Sequence, residues 1–350
     1  LCCATPKKGV EKIYPFPGYD LKTGEIALFG PLIYTGKYII CVPLLANDIA
    51  VFDTCNESFT MIKLDALGDD SAECLVKFNC YVQSGDYLYM FGCMYQAIIR
   101  LNIETLEAEY RATVIEQINL HSGNRINNWY ITDSILYDES TALLTVGQLP
   151  LVVEYDLKLD TAILHELNCC LGGFWGIQRS GKNDFYLIGV GDKSNTIIKW
   201  GFEQKMTSEI RITSHPTTNL AFSHIVSFAD KMYLLPGEEE EIIALDCDND
   251  RVSIAEQCRG LSKETMGSNT VSHTLCASIV DGKLDFVTAR DFKWHEFDLS
   301  KHTVDSYFIP ITDQDYIRRI DEESLTTAIK EKGFVDESDT NLSCFIDYIG

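Results

Sequence analysis

Residues 87–102 have the sequence YLYMFGCMYQAIIRLN, and this arrangement recurs along the 350-residue chain. An apolar, β-rich run precedes a glycine and a short variable loop, and a second apolar run ends in the pair Leu101-Asn102. Six pairs of this kind occur: Phe52-Asp53, Leu101-Asn102, Tyr155-Asp156, Trp200-Gly201, Leu245-Asp246 and Phe297-Asp298. Their second members are separated by 49, 54, 45, 45 and 52 residues. This period excludes the shorter units of most helical solenoids and predicts repeated four-stranded units.

Each unit contains the signals of four strands. An apolar run such as Leu143-Leu144-Thr145-Val146 lies before each pair, and tight-turn residues such as Ser84-Gly85-Asp86 precede most of these runs. A second turn follows each pair, and an alternating strand such as residues 304–309 closes the unit. Four antiparallel strands, repeated radially six times, predict an all-β protein, a six-bladed β-propeller. The apolar member of each pair is then blade core, and Asp or Asn begins a turn by accepting hydrogen bonds from backbone amides.

The order of strand, glycine, variable loop and aromatic-Asp pair resembles the Kelch repeat in a degenerate form, over roughly residues 25 to 311. Single glycines stand where a standard Kelch unit has a Gly-Gly pair: Gly92, Gly147, Gly189 and Gly237. The resemblance implies a Kelch-like propeller. The Gly-His and Trp-Asp signatures of WD-type propellers are absent, as is the aspartate box of sialidases.

The chain is predicted to be one domain with two tails. Residues 1–24 form an irregular N-terminal arm that leads into a strand at 26–29, and residues 25–311 form the propeller. Residues 312–350 form a C-terminal helical extension and tail, because apolar residues recur at helical spacing between Asp313 and Lys332 before Gly333.

Composition limits the classes of partner. The net charge of -23 repels phosphate backbones and anionic lipid, and no cluster of Lys and Arg offsets it, so neither nucleic acid nor membrane is expected as a partner. No apolar stretch reaches eighteen residues, and the thirteen cysteines include no Cys-x-x-Cys pair, which predicts a reduced, cytoplasmic protein. The adjacent pairs Cys2-Cys3 and Cys169-Cys170 suggest redox or metal chemistry, but neighbouring strand residues point to opposite faces. No metal and no cofactor are therefore expected.

The candidate site lies in the loops that enter the innermost strands, since these loops gather on one face of a propeller. They are rich in His, Trp and amide side chains, which suit a sugar or peptide because ring faces stack and polar groups fix orientation. Two arginines on the same predicted face could bind a carboxylate or phosphate. The candidate ligand-binding residues are Arg125, Asn128, Trp129, Trp175, His224, His273 and Arg290.

Structural roles compete with these assignments. Trp129 and Trp175 could be core residues between blades, His224 could be a hydrogen-bonded histidine of the channel, and Arg290 could pair with a local acid. No catalytic residue is assigned. The sequence predicts a non-catalytic propeller that binds a protein partner or a carbohydrate-like small ligand on its loop-rich face. The alternative is a propeller lyase, hydrolase or isomerase acting on a glycan or small metabolite, with His224 or His273 as acid or base.

Overall fold

A computed structural model describes residues 2–5, 9–19, 28–65, 76–123, 126, 130–181, 183–212, 220–237, 241–257, 274–288, 293–307 and 318. The chain divides into two compact units. The larger comprises residues 20–258 and 270–273, and the smaller comprises residues 1–19, 259–269 and 274–350. The six four-stranded antiparallel sheets that they contain confirm the predicted blades.

The larger unit holds five blades and the one helix of the described residues. Blade 1 is β3 (Phe29–Tyr34), β4 (Tyr38–Pro43), β5 (Asp48–Asp53) and β6 (Ser58–Lys63). Blade 2 is β7 (Phe78–Ser84), β8 (Tyr87–Gly92), β9 (Ile98–Asn102) and β10 (Ala108–Arg111), followed by helix α1 (Thr113–Ser122). Blade 3 is β11 (Ile131–Leu136), β12 (Thr141–Val146), β13 (Leu151–Asp156) and β14 (Thr161–Glu166). Blade 4 is β15 (Phe174–Ser180), β16 (Asp184–Gly189), β17 (Thr196–Gly201) and β18 (Met206–Arg211). Blade 5 is β19 (Phe222–Phe228), β20 (Lys231–Pro236), β21 (Glu241–Asp246) and β22 (Arg251–Gln257).

The smaller unit holds blade 6 and a hairpin. The hairpin pairs β1 (Cys2–Thr5) with β2 (Gly9–Ile13). Blade 6 is β23 (Thr274–Val280), β24 (Lys283–Thr288), β25 (Trp294–Asp298) and β26 (Thr303–Tyr307). All six blades have the same strand order, with each strand antiparallel to the one before it.

Antiparallel order gives the larger unit two distinct ends. The turns between first and second strands and between third and fourth strands form the turn face, which includes residues 35–37, 54–57, 85–86, 103–107, 137–140, 157–160, 202–205, 229–230 and 247–250. The other connections form the loop face, which includes residues 44–47, 93–97, 147–150, 167–173 and 190–195. From β3 to β19, the first strand of each blade lies beside the first strand of the next.

Apolar clusters fill the space between successive blades of the larger unit. In β8, Leu88 and Met90 pack with blade 1, whereas Tyr89 and Phe91 pack with blade 3. Side chains of a strand alternate between the two faces of its sheet, so a blade covered on both faces needs a continuous apolar run. Full burial of each large side chain contributes about 1.5–3 kcal/mol.

The recurring pair has the predicted structural role. Its apolar members are buried, with exposed fractions of 0–4%. The carboxylate of Asp53 accepts hydrogen bonds from the backbone N–H groups of Cys55 and Asn56, and Asn102 and Asp156 accept equivalent pairs. The residue four positions after each pair has a positive φ: Glu57, Leu106, Asp160, Lys205, Asp250 and His302. A residue with positive φ thus occupies the same turn position in all six blades, including the one in which Gly201 replaces the acid.

Some local expectations differ from the structure, and others lie outside the described residues. The irregular arm contains the hairpin of β1 and β2, and the predicted strand at 26–29 is described only from residue 28, with β3 beginning at Phe29. Helix α1 was not predicted from the sequence, although Val114, Ile115 and Ile118 lie at helical spacing and are buried. Cys169-Cys170 lies in a bend and not in a strand. The predicted C-terminal helix lies outside the described residues, apart from Arg318.

In the part of the chain that the structure describes, no helix has both the length and the apolar character that crossing a membrane requires.

Candidate functional site

The structure describes two of the seven candidate ligand-binding residues. Trp175 and His224 lie near the beginning of β15 and β19, at the loop-face ends of the first strands of blades 4 and 5. The other five lie outside the described residues: Arg125, Asn128, Trp129, His273 and Arg290. How these five are placed relative to Trp175 and His224 remains a prediction.

The first strand of every blade is irregular at this same place. The pairing between first and second strands shifts register near the beginning of the first strand, between Phe29/Leu32, Phe78/Cys80, Ile131/Asp133, Phe174/Gly176, Phe222/His224 and Thr274/Cys276. A bulge leaves one residue outside the ladder and redirects its side chain. We call Asn79, Thr132, Trp175 and Ser223 the bulge residues of blades 2 to 5.

The bulge residues connect successive blades. The Asn79 side-chain amide donates to the carbonyl of Thr132 at 2.9 Å, and the Thr132 hydroxyl donates to the carbonyl of Phe174 at 2.7 Å. The indole Nε1–H of Trp175 then donates to the carbonyl of Ser223 at 3.1 Å. Three successive junctions are therefore joined by the same kind of bond.

Trp175 packs at the junction between blades 4 and 5, and its role in ligand binding stays a prediction. Its ring is partly buried and packs against the apolar cluster of blades 4 and 5, which includes Phe222 and Ile225. Its Nε1–H is fixed by Ser223. The remaining exposed part of the ring is a rigid apolar surface at the loop-face end of β15, because the two constraints leave the indole little rotational freedom.

His224 is held in one tautomer by its neighbour. The Ser223 hydroxyl donates to the carbonyl of Pro236 at 2.8 Å, so its single proton is already used. The Nδ1 atom of His224 lies 3.2 Å from the same hydroxyl oxygen and must therefore carry a hydrogen to bond with it. Desolvation lowers the pKa of His224 to about 4. At neutral pH the ring is uncharged, with Nε2 as a hydrogen-bond acceptor.

Asp133, on β11, is a partly buried ionisable residue that was not among the candidates predicted from the sequence. Its two oxygens accept 2.8 Å hydrogen bonds from the backbone N–H groups of Ser134 and Ile177, the latter on the next blade. Desolvation raises the pKa of Asp133 to about 6, although both hydrogen bonds act in the opposite direction. An acid within the strand Ile131–Leu136 was the sequence feature that could have identified this residue, but acids are abundant in this chain.

Among the described residues, no three His, Cys, Asp or Glu side chains converge in a way that could hold a metal ion. The Asp246–Asp250 segment, whose spacing resembles a calcium loop, is the turn between β21 and β22. Two of its acids have hydrogen-bond partners: Asp246 accepts from the backbone N–H of Asp248 within the turn, and Asp250 accepts from Tyr186 and Lys199 of blade 4. The predicted turn is confirmed.

No family model matches the chain, and no curated protein matches it significantly. Solved structures are similar in fold. Virginiamycin B lyase from Staphylococcus aureus is 13% identical, with a TM-score of 0.59 over 84% of this chain and 88% of the lyase. Hydrazine synthase from Kuenenia stuttgartiensis is 10% identical, with a TM-score of 0.54 over 81% of each chain. A chain of a nidogen/laminin complex is 12% identical, with a TM-score of 0.50 over 79% of this chain and 92% of that one.

These proteins have different activities, and at such identities the similarity is one of fold alone. The comparisons and the six four-stranded sheets together show that the chain is a six-bladed β-propeller.

Proposed function

We propose that the chain is a non-catalytic β-propeller that binds a protein partner or a carbohydrate-like small ligand on its loop face. The observation that carries this proposal is Trp175, a partly exposed indole held rigidly by Ser223 at the loop-face end of β15. A preorganised aromatic surface costs little entropy when a sugar ring or a peptide side chain stacks on it. The neutral His224 supplies an acceptor that could orient such a ligand.

The charge of the chain supports the other parts of the proposal. With a net charge of -23, the protein is proposed to have neither nucleic acid nor membrane as a partner. A reduced, cytoplasmic location and a degenerate Kelch-like repeat are proposed from the cysteine pattern and from the glycine and aromatic-Asp pattern of the sequence. The use of no metal or cofactor is part of the same proposal.

A ligand screen with two variants tests the loop face. Sugars and short peptides are added to the purified chain, and a ligand at a hundred times its Kd should raise the free energy of unfolding by about 2.7 kcal/mol. Trp175→Ala and His224→Asn should weaken the binding of a ligand found in this way. Phe228→Ala is the matched control, because Phe228 is an exposed aromatic at the turn-face end of the same strand, β19.

The loop-face proposal fails if Phe228→Ala weakens binding while Trp175→Ala and His224→Asn leave the Kd unchanged. If no small molecule raises the free energy of unfolding, a second experiment tests for a protein partner. Immobilised wild-type protein and the Trp175→Ala variant are used to capture binding proteins from the same extract. Equal capture by both would contradict the proposal.

A propeller enzyme is the second candidate, and His224 is the observation that favours it. A partly buried, uncharged imidazole with a fixed tautomer can accept a proton at Nε2. The fold is shared with virginiamycin B lyase, and a histidine-to-alanine variant of that lyase, solved with quinupristin, is catalytically inactive. Quinupristin and a set of glycans should be incubated with wild type and His224→Asn and analysed by mass spectrometry. Turnover that is absent from the variant would support an enzyme, and turnover that is unchanged in it would exclude His224 as the base.

A further inference from the structure

The loop that enters blade 4 contains two adjacent thiols, Cys169 and Cys170. Both are free and partly buried, and they lie in a bend between β14 and β15 on the loop face. Because they are not in an extended strand, the alternation that would separate neighbouring side chains does not apply. Both cysteines pack against the same apolar cluster, which includes Leu167 and Leu171. Both side chains therefore contact the apolar surface between blades 3 and 4.

The loop is anchored on both sides of the two thiols. The Leu167 N–H donates to the carbonyl of Pro150 at 2.8 Å, and the Thr207 hydroxyl donates to the carbonyl of Asn168 at 3.1 Å. The Cys170 N–H donates to Glu209 Oε1 at 2.9 Å. Beyond the cysteines, the side chain of Leu171 fills the space where Gly189 lacks a Cβ. The thiol pair is thus presented by a backbone that is fixed before any ligand arrives.

The chemistry of adjacent thiols favours a bridging atom over a direct disulfide. A trans peptide fixes neighbouring Cα atoms about 3.8 Å apart. This is shorter than the range of about 4.4–6.8 Å that an ordinary disulfide requires, so an S–S bond between these residues would be strained. A thiophilic atom bonded to both sulfurs makes a larger ring and relieves that strain. Burial raises the pKa of both thiols, so they remain protonated at neutral pH.

We propose that Cys169 and Cys170 form a bidentate thiol site that takes a trivalent arsenical, a ligand class distinct from that of the loop-face aromatic site. With phenylarsine oxide as the probe, two As–S bonds form, and the arsenic-bound oxygen leaves as water with the two thiol protons. No electron is transferred, so the reaction needs no oxidant or reductant. Glu209 accepts the Cys170 N–H and thereby positions the loop without bonding to arsenic.

Intact-mass spectrometry of the full chain tests the proposal. The background variant has Cys2→Ser and Cys3→Ser, which removes the other adjacent pair. Phenylarsine oxide should add once to this protein, should resist an excess of a monothiol such as 2-mercaptoethanol, and should be removed by the dithiol 2,3-dimercaptopropanol. Peptide mapping after alkylation should show Cys169 and Cys170 protected.

Single substitutions then distinguish binding at Cys169 and Cys170 from binding at the other cysteines. Cys169→Ser and Cys170→Ser should each lose the monothiol-resistant adduct, whereas Cys55→Ser, which removes an exposed isolated cysteine, should retain it. An adduct that survives in both Cys169→Ser and Cys170→Ser would overturn the proposal. In the background protein, which retains both Cys169 and Cys170, protection that maps to other cysteines instead would overturn the proposal as well, and this readout needs no substitution in the loop.

Discussion

The backbone N–H of Ile177 donates a 2.8 Å hydrogen bond to the carboxylate of Asp133, so that a partly buried acid joins the first strands of blades 3 and 4. The other carboxylate oxygen accepts from Ser134, which means that both oxygens are occupied. Loss of hydration destabilises the ionised carboxylate by more than the two hydrogen bonds stabilise it. The pKa of Asp133 is therefore raised to about 6. The residue therefore makes the stability of this junction depend on pH.

Asp133 should contribute stability at low pH and lose it as the pH rises. A carboxyl group whose folded pKa exceeds its unfolded value makes its full contribution below the unfolded pKa, near 4, and loses it through the folded pKa. Between pH 4 and pH 6.5 this loss should reach about 2 kcal/mol, at roughly 1.4 kcal/mol per pKa unit. In urea unfolding over this range, the free energy of unfolding of the wild type should fall relative to that of Asp133→Asn as the pH rises.

Asp138 on the same blade is the control for this titration. The Ser140 N–H lowers the pKa of Asp138, so its contribution is present above the unfolded pKa and is lost as the pH falls. Asp138→Asn should thus change the pH dependence of stability in the opposite sense to Asp133→Asn. A wild-type pH dependence that Asp133→Asn leaves unchanged would show that the partly buried carboxyl does not titrate in this range.

Thr132→Val should destabilise the protein through its junction with blade 4. The side chain is buried and its hydroxyl donates to the carbonyl of Phe174, so an isosteric valine leaves that carbonyl without this donor. A cost of about 1–3 kcal/mol is expected in urea unfolding. Thr132→Ser keeps the hydroxyl and should recover part of the loss. If the serine variant is no more stable than the valine variant, the hydroxyl is not the important group.

Gly201→Asn should stabilise the turn of blade 4. Gly201 in blade 4 is equivalent to Asn102 in blade 2. The side chain of Asn102 accepts 2.9 Å hydrogen bonds from the backbone N–H groups of Glu104 and Thr105. A Cβ at Gly201 meets the flexible end of Gln204, which can move away. A gain of about 0.5–1 kcal/mol is expected from the new cap and the smaller chain entropy of the unfolded state. Gly201→Ala, which adds the Cβ without an acceptor, should gain less in a thermal melt.

Alanine substitution should affect stability differently at Gly172 and Gly173, two adjacent glycines in the loop before Trp175. A Cβ on Gly173 would collide with the backbone carbonyl of Gly147, whereas a Cβ on Gly172 has no atom within 4 Å. Gly173→Ala should therefore cost about 1–3 kcal/mol, because backbone must move, and Gly172→Ala should have little effect. Chemical unfolding of the pair measures the contrast, and equal stabilities would mean that this loop repacks freely.

Much of the blade structure could be predicted from the repeat. The continuous apolar runs identified strands covered on both faces, and the Asp or Asn of each pair identified a turn, since both signals act within a few residues of the chain. Helix α1 was missed because it is only ten residues long, and its spaced residues Val114, Ile115 and Ile118 lie in a segment that resembled a connection. Short helices depend on tertiary packing for most of their stability.

The candidate site could be predicted only in part. The loop-rich end of the blades followed from strand order, and Trp175 and His224 lie at that end, whereas their role in ligand binding stays a prediction. The bulges that direct Trp175 towards Ser223 have no local sequence signature, because Asn79, Thr132, Trp175 and Ser223 share no common side chain. Asp133 was overlooked because its acceptor role depends on a backbone N–H that lies 44 residues away.

The sequence by itself thus determined the number of blades, their strand order and the turns that follow the recurring pair, because these depend on the alternation of side chains and on hydrogen bonds within a few residues. Only the tertiary structure decided that the Trp175 indole is fixed, that His224 is an uncharged acceptor, and that Cys169 and Cys170 face the same cluster. Each of these properties arises where segments distant in sequence meet and water is excluded, and no local pattern specifies such a meeting.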